Sequence, residues 1–126
     1  MKNLEQIRAK AAIEPAGKLD KSAINKLPAM ILTNGLLATI AFCHSDSSGE
    51  GRSHMAEAMR ATARHLGDLN LAEKNFSDLA VFVRDLSNRD SAHLQRATAE
   101  ALAFIGYLRR FADKTEKAQK QLGETS

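Results

Sequence analysis

The residues best suited to chemistry are the single cysteine, Cys43, and the histidine beside it, His44. A nucleophilic thiol needs a base within hydrogen-bonding reach, but adjacent residues of a helix point about 100° apart. No oxyanion-hole pattern follows the pair, and the spacing fits a core thiol. The other histidines, His54, His65 and His93, are scattered along the chain. His54 and His65 share a helix face only at a separation of about three turns, too far to hold one metal ion. Surface or capping roles are therefore expected of the histidines. The stretch SDSSGEG from Ser45 carries glycine but lacks the Lys-Ser/Thr ending of a phosphate-binding loop. Asp46 and Glu50 within it lack the ladder of oxygen ligands that a calcium loop supplies. These residues assign no catalytic group, no metal site and no cofactor.

A set of cations remains. Lys18, Lys21 and Lys26 come before the most apolar stretch, and Arg96, Arg109, Arg110, Lys114 and Lys117 lie toward the C-terminus. Arg110, Lys114 and Lys117 are spaced to share one helix face, and Arg96 falls on the same flank as Arg110. The formal net charge of +3 is uneven. Residues 1–26 carry six Lys/Arg against three acids, residues 27–95 six against eight, and residues 96–126 six against four. On the residues alone two readings stay open: a solvated face, or salt-sensitive contact with a phosphate backbone that reads no base. The few aromatics are mostly Phe at core spacing, which gives no stacking platform for single-stranded bases. Tyr107 fits a buried aromatic with a satisfied hydroxyl.

The elements that must position these residues are helices. The chain of 126 residues has two prolines, seven glycines and one cysteine, too little punctuation for a sheet and no internal disulfide. One all-α domain over residues 1–126 is expected, a bundle of five or six helices, with a flexible loop at about 45–53 and a frayed tail at about 119–126. Its centre is expected to be LPAMILTNGLLATIAF, Leu27 to Phe42, the longest uncharged run, read as one buried helix with a weak point at Gly35. Asn3 caps a first helix with a stripe of Leu4, Ile7, Ala11 and Ala12, stopped near Ile13 by Pro15. Ser53 is a candidate cap for a helix that Gly67 ends. A further helix, about Ala72 to Leu86, buries Phe76, Leu79, Ala80 and Val83. The last and longest starts near Asp90 or Ser91, with Leu94, Thr98, Ala101, Ile105, Leu108 and Ala112 in one apolar row and Ala97, Phe104 and Phe111 in a second. The N-terminus MKNLEQIRAK lacks the apolar core of a signal peptide and no run is long enough to span a membrane, so a cytoplasmic protein is expected.

Three stretches together resemble a known family. KLPAMILTNGLLATIAF from Lys26, ATAEALAFIGYLRRFAD from Ala97 and LEQIRAKAA from Leu4 are similar to signatures of the small helical subunit of the type III-B, or Cmr, CRISPR effector complex. The family often has Gly-Gln where this chain has Leu37 and Ala38, Tyr where His93 stands, and Trp where Tyr107 stands. The resemblance implies a non-catalytic subunit whose copies stack as a filament beside the backbone subunit that holds guide RNA. Its implied partners are the backbone and large subunits, copies of itself, guide RNA and target RNA, with no membrane and no small-molecule substrate. It turns the basic set, Lys21, Lys26, Arg96, Arg109, Arg110 and Lys114, into a candidate RNA-facing surface, with Lys26, Arg109 and Arg110 within the signatures. The alternative is a helical adaptor that contacts only protein.

Overall fold

The computed structural model describes the backbone of residues 2–45, 50–74 and 78–125, and the side chains of residues 2–44, 53–74 and 78–112. The described residues form six helices and no strand: α1 (Leu4–Ala16), α2 (Lys21–Asn34), α3 (Leu36–Ser45), α4 (Glu50–Asp68), α5 (Leu79–Ser87) and α6 (Ser91–Thr125). The expected all-α bundle is what forms. The loop expected at 45–53 falls partly on residues 46–49, outside the described residues. No helix among the described residues is long and apolar enough to cross a membrane.

Local chemistry sets the helix ends. Asn3 accepts from the Gln6 N–H at 2.9 Å, and the Gln6 side chain accepts from the Asn3 N–H at 2.8 Å. This reciprocal pair satisfies two N–H groups that a helix start leaves without partners. Pro15 does not stop α1 near Ile13. It sits in the last turn, and the helix runs on to Ala16. Asp20 caps α2, accepting from the Ser22 N–H and hydroxyl. With α2 starting at Lys21, Pro28 lies inside it. Ser53 is interior to α4, which begins at Glu50. Gly67 is not the stop either. Asn70, at φ 62°, is the left-handed residue, with the Leu71 N–H bonded to the Leu66 carbonyl and the Asn70 N–H to the Gly67 carbonyl. Gly67 serves packing instead, since a Cβ there would stand 3.1 Å from the Lys74 Cα. The helix expected from Ala72 starts only at Leu79, capped by Asp78. It buries Phe82 and Leu86 with Leu79, and leaves Ala80 and Val83 half-buried. Phe76 lies outside the described residues.

The largest departure is at the centre. Leu27 to Phe42 is two helices, broken at Gly35, whose φ of 93° and ψ of 159° suit glycine almost alone. Helix periodicity explains the break. On a continuous helix at about 100° per residue, Ile24, Leu27 and Ile31 lie within about 60° of one another, while Leu36, Ile40 and Cys43 lie about 160–220° round from Leu27. All six are buried in the structure. Only a change of direction aims both sets at one core, and Gly35 supplies it. Its N–H donates to the Ile31 carbonyl at 2.8 Å, and its carbonyl accepts from the Thr39 N–H at 3.2 Å and hydroxyl at 2.9 Å. Of the rest of the run, Thr39 is buried, Pro28, Met30, Leu37 and Phe42 are half-buried, and Ala29, Thr33, Asn34, Ala38 and Ala41 are exposed, with Leu32 74% exposed.

The central helix is α4, which touches each of the other five. Met55, Ala56, Ala58, Met59, Ala61, Thr62, Ala63, His65 and Leu66 are all buried, and the alanines let neighbours approach from several sides. The last helix holds both expected rows, with Ala97, Ala101, Phe104, Ile105, Leu108 and Ala112 buried. The stripe on α1 is thinner than expected: Ala12 and Ala16 are buried, Ile7 is half-buried, and Leu4 and Ile13 are exposed.

Replacing Gly35 by Ala puts an L side chain into that backbone conformation and lowers unfolding free energy by about 1–3 kcal/mol, read as a lower urea midpoint at unchanged slope. Gly106, inside α6 with open space around it, is the control. Gly106→Ala raises stability by about 0.5–1 kcal/mol.

Candidate nucleic-acid interface

The chain's main polar structure is internal. Glu100 of α6 is buried at 6% exposure, and Arg8 of α1 meets it with a two-pronged bond, Nε to Oε2 and Nη2 to Oε1, both 2.7 Å. His65 of α4 closes the group, with its Nε2 2.8 Å from the same Oε2. Burial pushes the Glu100 carboxyl up, but the bonds from Arg8 and His65 together outweigh it and hold the group below its usual value of 4.5. The bond to Glu100 in turn raises the Arg8 guanidinium. A carboxylate only accepts, so the His65 Nε2–H donates. The His65 ring stacks on Phe104 at 4.5 Å and 14°. Its Nδ1 is buried with no partner among the described residues.

Sequence reading missed this group, and the histidine expectation fails at His65, which is neither on the surface nor a cap. The signal was the acid itself. Glu100 stands among Ala97, Ala101 and Phe104, one and three or four residues away on a buried stripe, where an ionised side chain is tolerated only with partners. His54 does act at a helix start: its Nδ1 accepts from the Asp20 N–H at 3.1 Å. His93 donates from Nε2 to the Leu71 carbonyl at 2.6 Å. Among the described residues no group of three or more His, Cys, Asp or Glu side chains is placed to hold a metal ion. Cys43 is buried, as expected of a core thiol.

The candidate RNA-facing residues lie on α2 and α6, which pack against each other. Arg96, Arg109 and Arg110 are exposed on α6 and Lys26 is exposed on α2, while Lys21 is half-buried. The Lys114 side chain lies outside the described residues. Helix geometry places Arg96 and Arg110 on one flank, about 40° apart in azimuth and about 21 Å apart along the axis. Between them on that flank are Ala99, Ala103 and Gly106, with the half-buried Tyr107 about 20° round from Arg96 on the other side, so that a lane with a cation at each end runs beside the tyrosine. Arg109 lies about 100° round from Arg110, and Lys21 and Lys26 point about 140° apart on α2. The six cations therefore do not form one cluster. Arg96 is oriented from below: its Nη2 stands 3.5 Å from Nδ1 of His93, the ring anchored on the Leu71 carbonyl. Among the described residues neither Arg109 nor Arg110 has an ion-pair partner. Tyr107, next to this lane, is half-buried and stacks on Phe111 at 6.3 Å.

Removing the Glu100 side chain strands Arg8 and His65. Glu100→Ala is expected to cost about 2–3 kcal/mol, below the largest values for broken buried pairs because Arg8 is a quarter exposed. The depressed folded-state value fixes the sign with pH. The Glu100 contribution is complete above the ordinary carboxylate range and is lost as pH falls through the folded value. Urea unfolding of wild type and Glu100→Gln from pH 7 to pH 3 should therefore show a stability gap that narrows on acidification.

The family described as CRISPR-associated protein (Cas_Cmr5) matches residues 3–115. No curated protein and no solved structure gives a significant match. The match includes all three stretches whose resemblance was noted, together with the Arg8–Glu100–His65 group and the exposed arginines of α6. The chain belongs to the Cas_Cmr5 family, the small helical subunits of type III-B CRISPR complexes.

Proposed function

We propose that this chain is a non-catalytic small subunit of a Cmr complex in antiviral defence, stacking beside the guide-RNA backbone and meeting target RNA through basic surface residues. The family match over residues 3–115 carries this reading. Arg96 and Arg110 stand at the two ends of a lane of Ala99, Ala103 and Gly106 beside Tyr107, along which a phosphate backbone can approach α6. Arg109, Lys21, Lys26 and Lys114 extend the basic surface to neighbouring faces. Each such contact contributes charge neutralisation and no base readout, as suits a subunit whose complex takes its sequence specificity from guide pairing. Catalysis belongs to other subunits in this reading. The partners are the backbone and large subunits, further copies of this chain, guide RNA and target RNA.

Two measurements test it. Tagged protein expressed with its neighbouring genes should recover the other subunits and guide RNA. Fluorescence anisotropy with a generic single-stranded RNA should show weak binding that falls steeply with salt. Charge reversal at Arg109 and Arg110 together should weaken it at least about tenfold and flatten the log–log salt slope by about 1.4, two single-strand phosphate contacts. Affinity and slope unchanged by that reversal would leave the protein-only adaptor as the function.

A further inference from the structure

Phosphate contacts do not distinguish RNA from DNA, because the two backbones carry the same phosphates. Arg96 and Arg110, at the ends of the α6 lane, therefore leave the sugar unread. The neutral polar group beside the lane is Tyr107. Helix geometry puts it about 20° round from Arg96 and about 60° round from Arg110, and about 4.5 Å along the axis from Arg110.

Tyr107 offers a ligand its hydroxyl. The residue is half-buried, and its ring is used in packing, stacked on Phe111 at 6.3 Å and 29°. A satisfied hydroxyl was the expectation from the sequence, but the hydroxyl makes no hydrogen bond among the described residues. It is not buried either, since the buried side-chain polar atom without a partner among them is Nδ1 of His65. Behind the bond to Glu100, the Tyr107 oxygen is among the groups that raise the Arg8 guanidinium, which places it toward the α1 edge of the lane. An unused donor and acceptor thus stands at the surface within one helical turn of an exposed arginine that has no ion-pair partner among the described residues.

We propose that Tyr107 reads the sugar: its hydroxyl bonds the ribose 2′-hydroxyl of the nucleotide whose phosphate Arg110 holds, and so gives this surface a preference for RNA over DNA. The 2′-hydroxyl both donates and accepts, and a tyrosine hydroxyl does the same. A second phosphate is the poorer match, because Arg110 already offers charge-assisted donors that a neutral hydroxyl does not equal. A ribose and its own phosphate are neighbours along the strand, so the two contacts need a hydroxyl close to an arginine. Tyr107 meets that need with Arg110 and not with Arg96, about 16 Å away along α6. The contact selects the sugar and no base, so the surface stays indifferent to sequence. This inference rests on the RNA contact proposed above and adds the group that discriminates.

Fluorescence anisotropy at low salt tests it in the intact chain, with one uracil-containing sequence made both as single-stranded RNA and as single-stranded DNA. Wild type should bind the RNA at least about threefold more tightly, within the range of one hydrogen bond. Tyr107→Phe keeps the ring and its packing on Phe111 and removes only the hydroxyl, so its urea midpoint should match wild type. It should erase the preference, RNA affinity falling to that of DNA. The salt slope should stay as it was, because no phosphate contact is lost. Equal affinity of wild type for the two strands, or an RNA preference that survives Tyr107→Phe, would overturn the sugar contact. With steep salt dependence retained, the RNA-facing surface would stand without it. Binding that ignores salt, or no binding to either strand, would overturn the RNA-facing surface and the sugar contact together.

Discussion

The bond from Arg8 to Glu100 is the constraint on which the rest of the molecule depends. α1 buries two alanines and little else, too small an apolar face to choose one seat on α6 by packing alone. The two-pronged bond at 2.7 Å supplies that choice, because it forms only at one register and one rotation of α1 against α6. His65 shares the same oxygen and brings in α4, the helix that touches all others. A buried ion pair contributes little net stability relative to well-packed apolar side chains, but a wrong seat would leave Glu100 buried and unpaired. The group therefore acts by penalising alternatives.

That constraint reaches the surface. Glu100 sits about 40° round α6 from Arg96 and about 80° from Arg110, on the flank where α1 covers the helix. The edge of α1 is thus one bank of the lane that ends in the two arginines. Arg96 is held by a separate chain of contacts, through His93 to the Leu71 carbonyl, which ties it to the turn after α4. The α1 bank and the Arg96 end of this surface are thereby both referred back to α4.

The sequence made most of the helices legible and misplaced the centre. Apolar content drew attention to Leu27–Phe42, yet its burial is divided between two opposed stripes, Ile24–Leu27–Ile31 and Leu36–Ile40–Cys43. Two stripes facing opposite ways on one projected helix are a sign of a break, and the positive-φ preference of glycine says where. α4 was under-read for the converse reason. Its burial is shared between Met55, Met59 and Leu66 and alanines set among Glu57, Arg60 and Arg64, so its mean hydropathy hides how much of it is covered. The candidate interface was legible as residue types and, for Arg96 and Arg110, as a shared flank. The inner network was not, because Arg8, His65 and Glu100 are distant in sequence and only tertiary packing brings them together.

Charged and apolar contacts differ in how they answer to solvent. Contacts between arginines and phosphates weaken as salt displaces the gain from counterion release. Contacts made by apolar side chains draw on burial, which salt does not screen. The absence of charge from Leu27 to Phe42, which at first reads as the mark of a core helix, is accounted for on its inward side by burial.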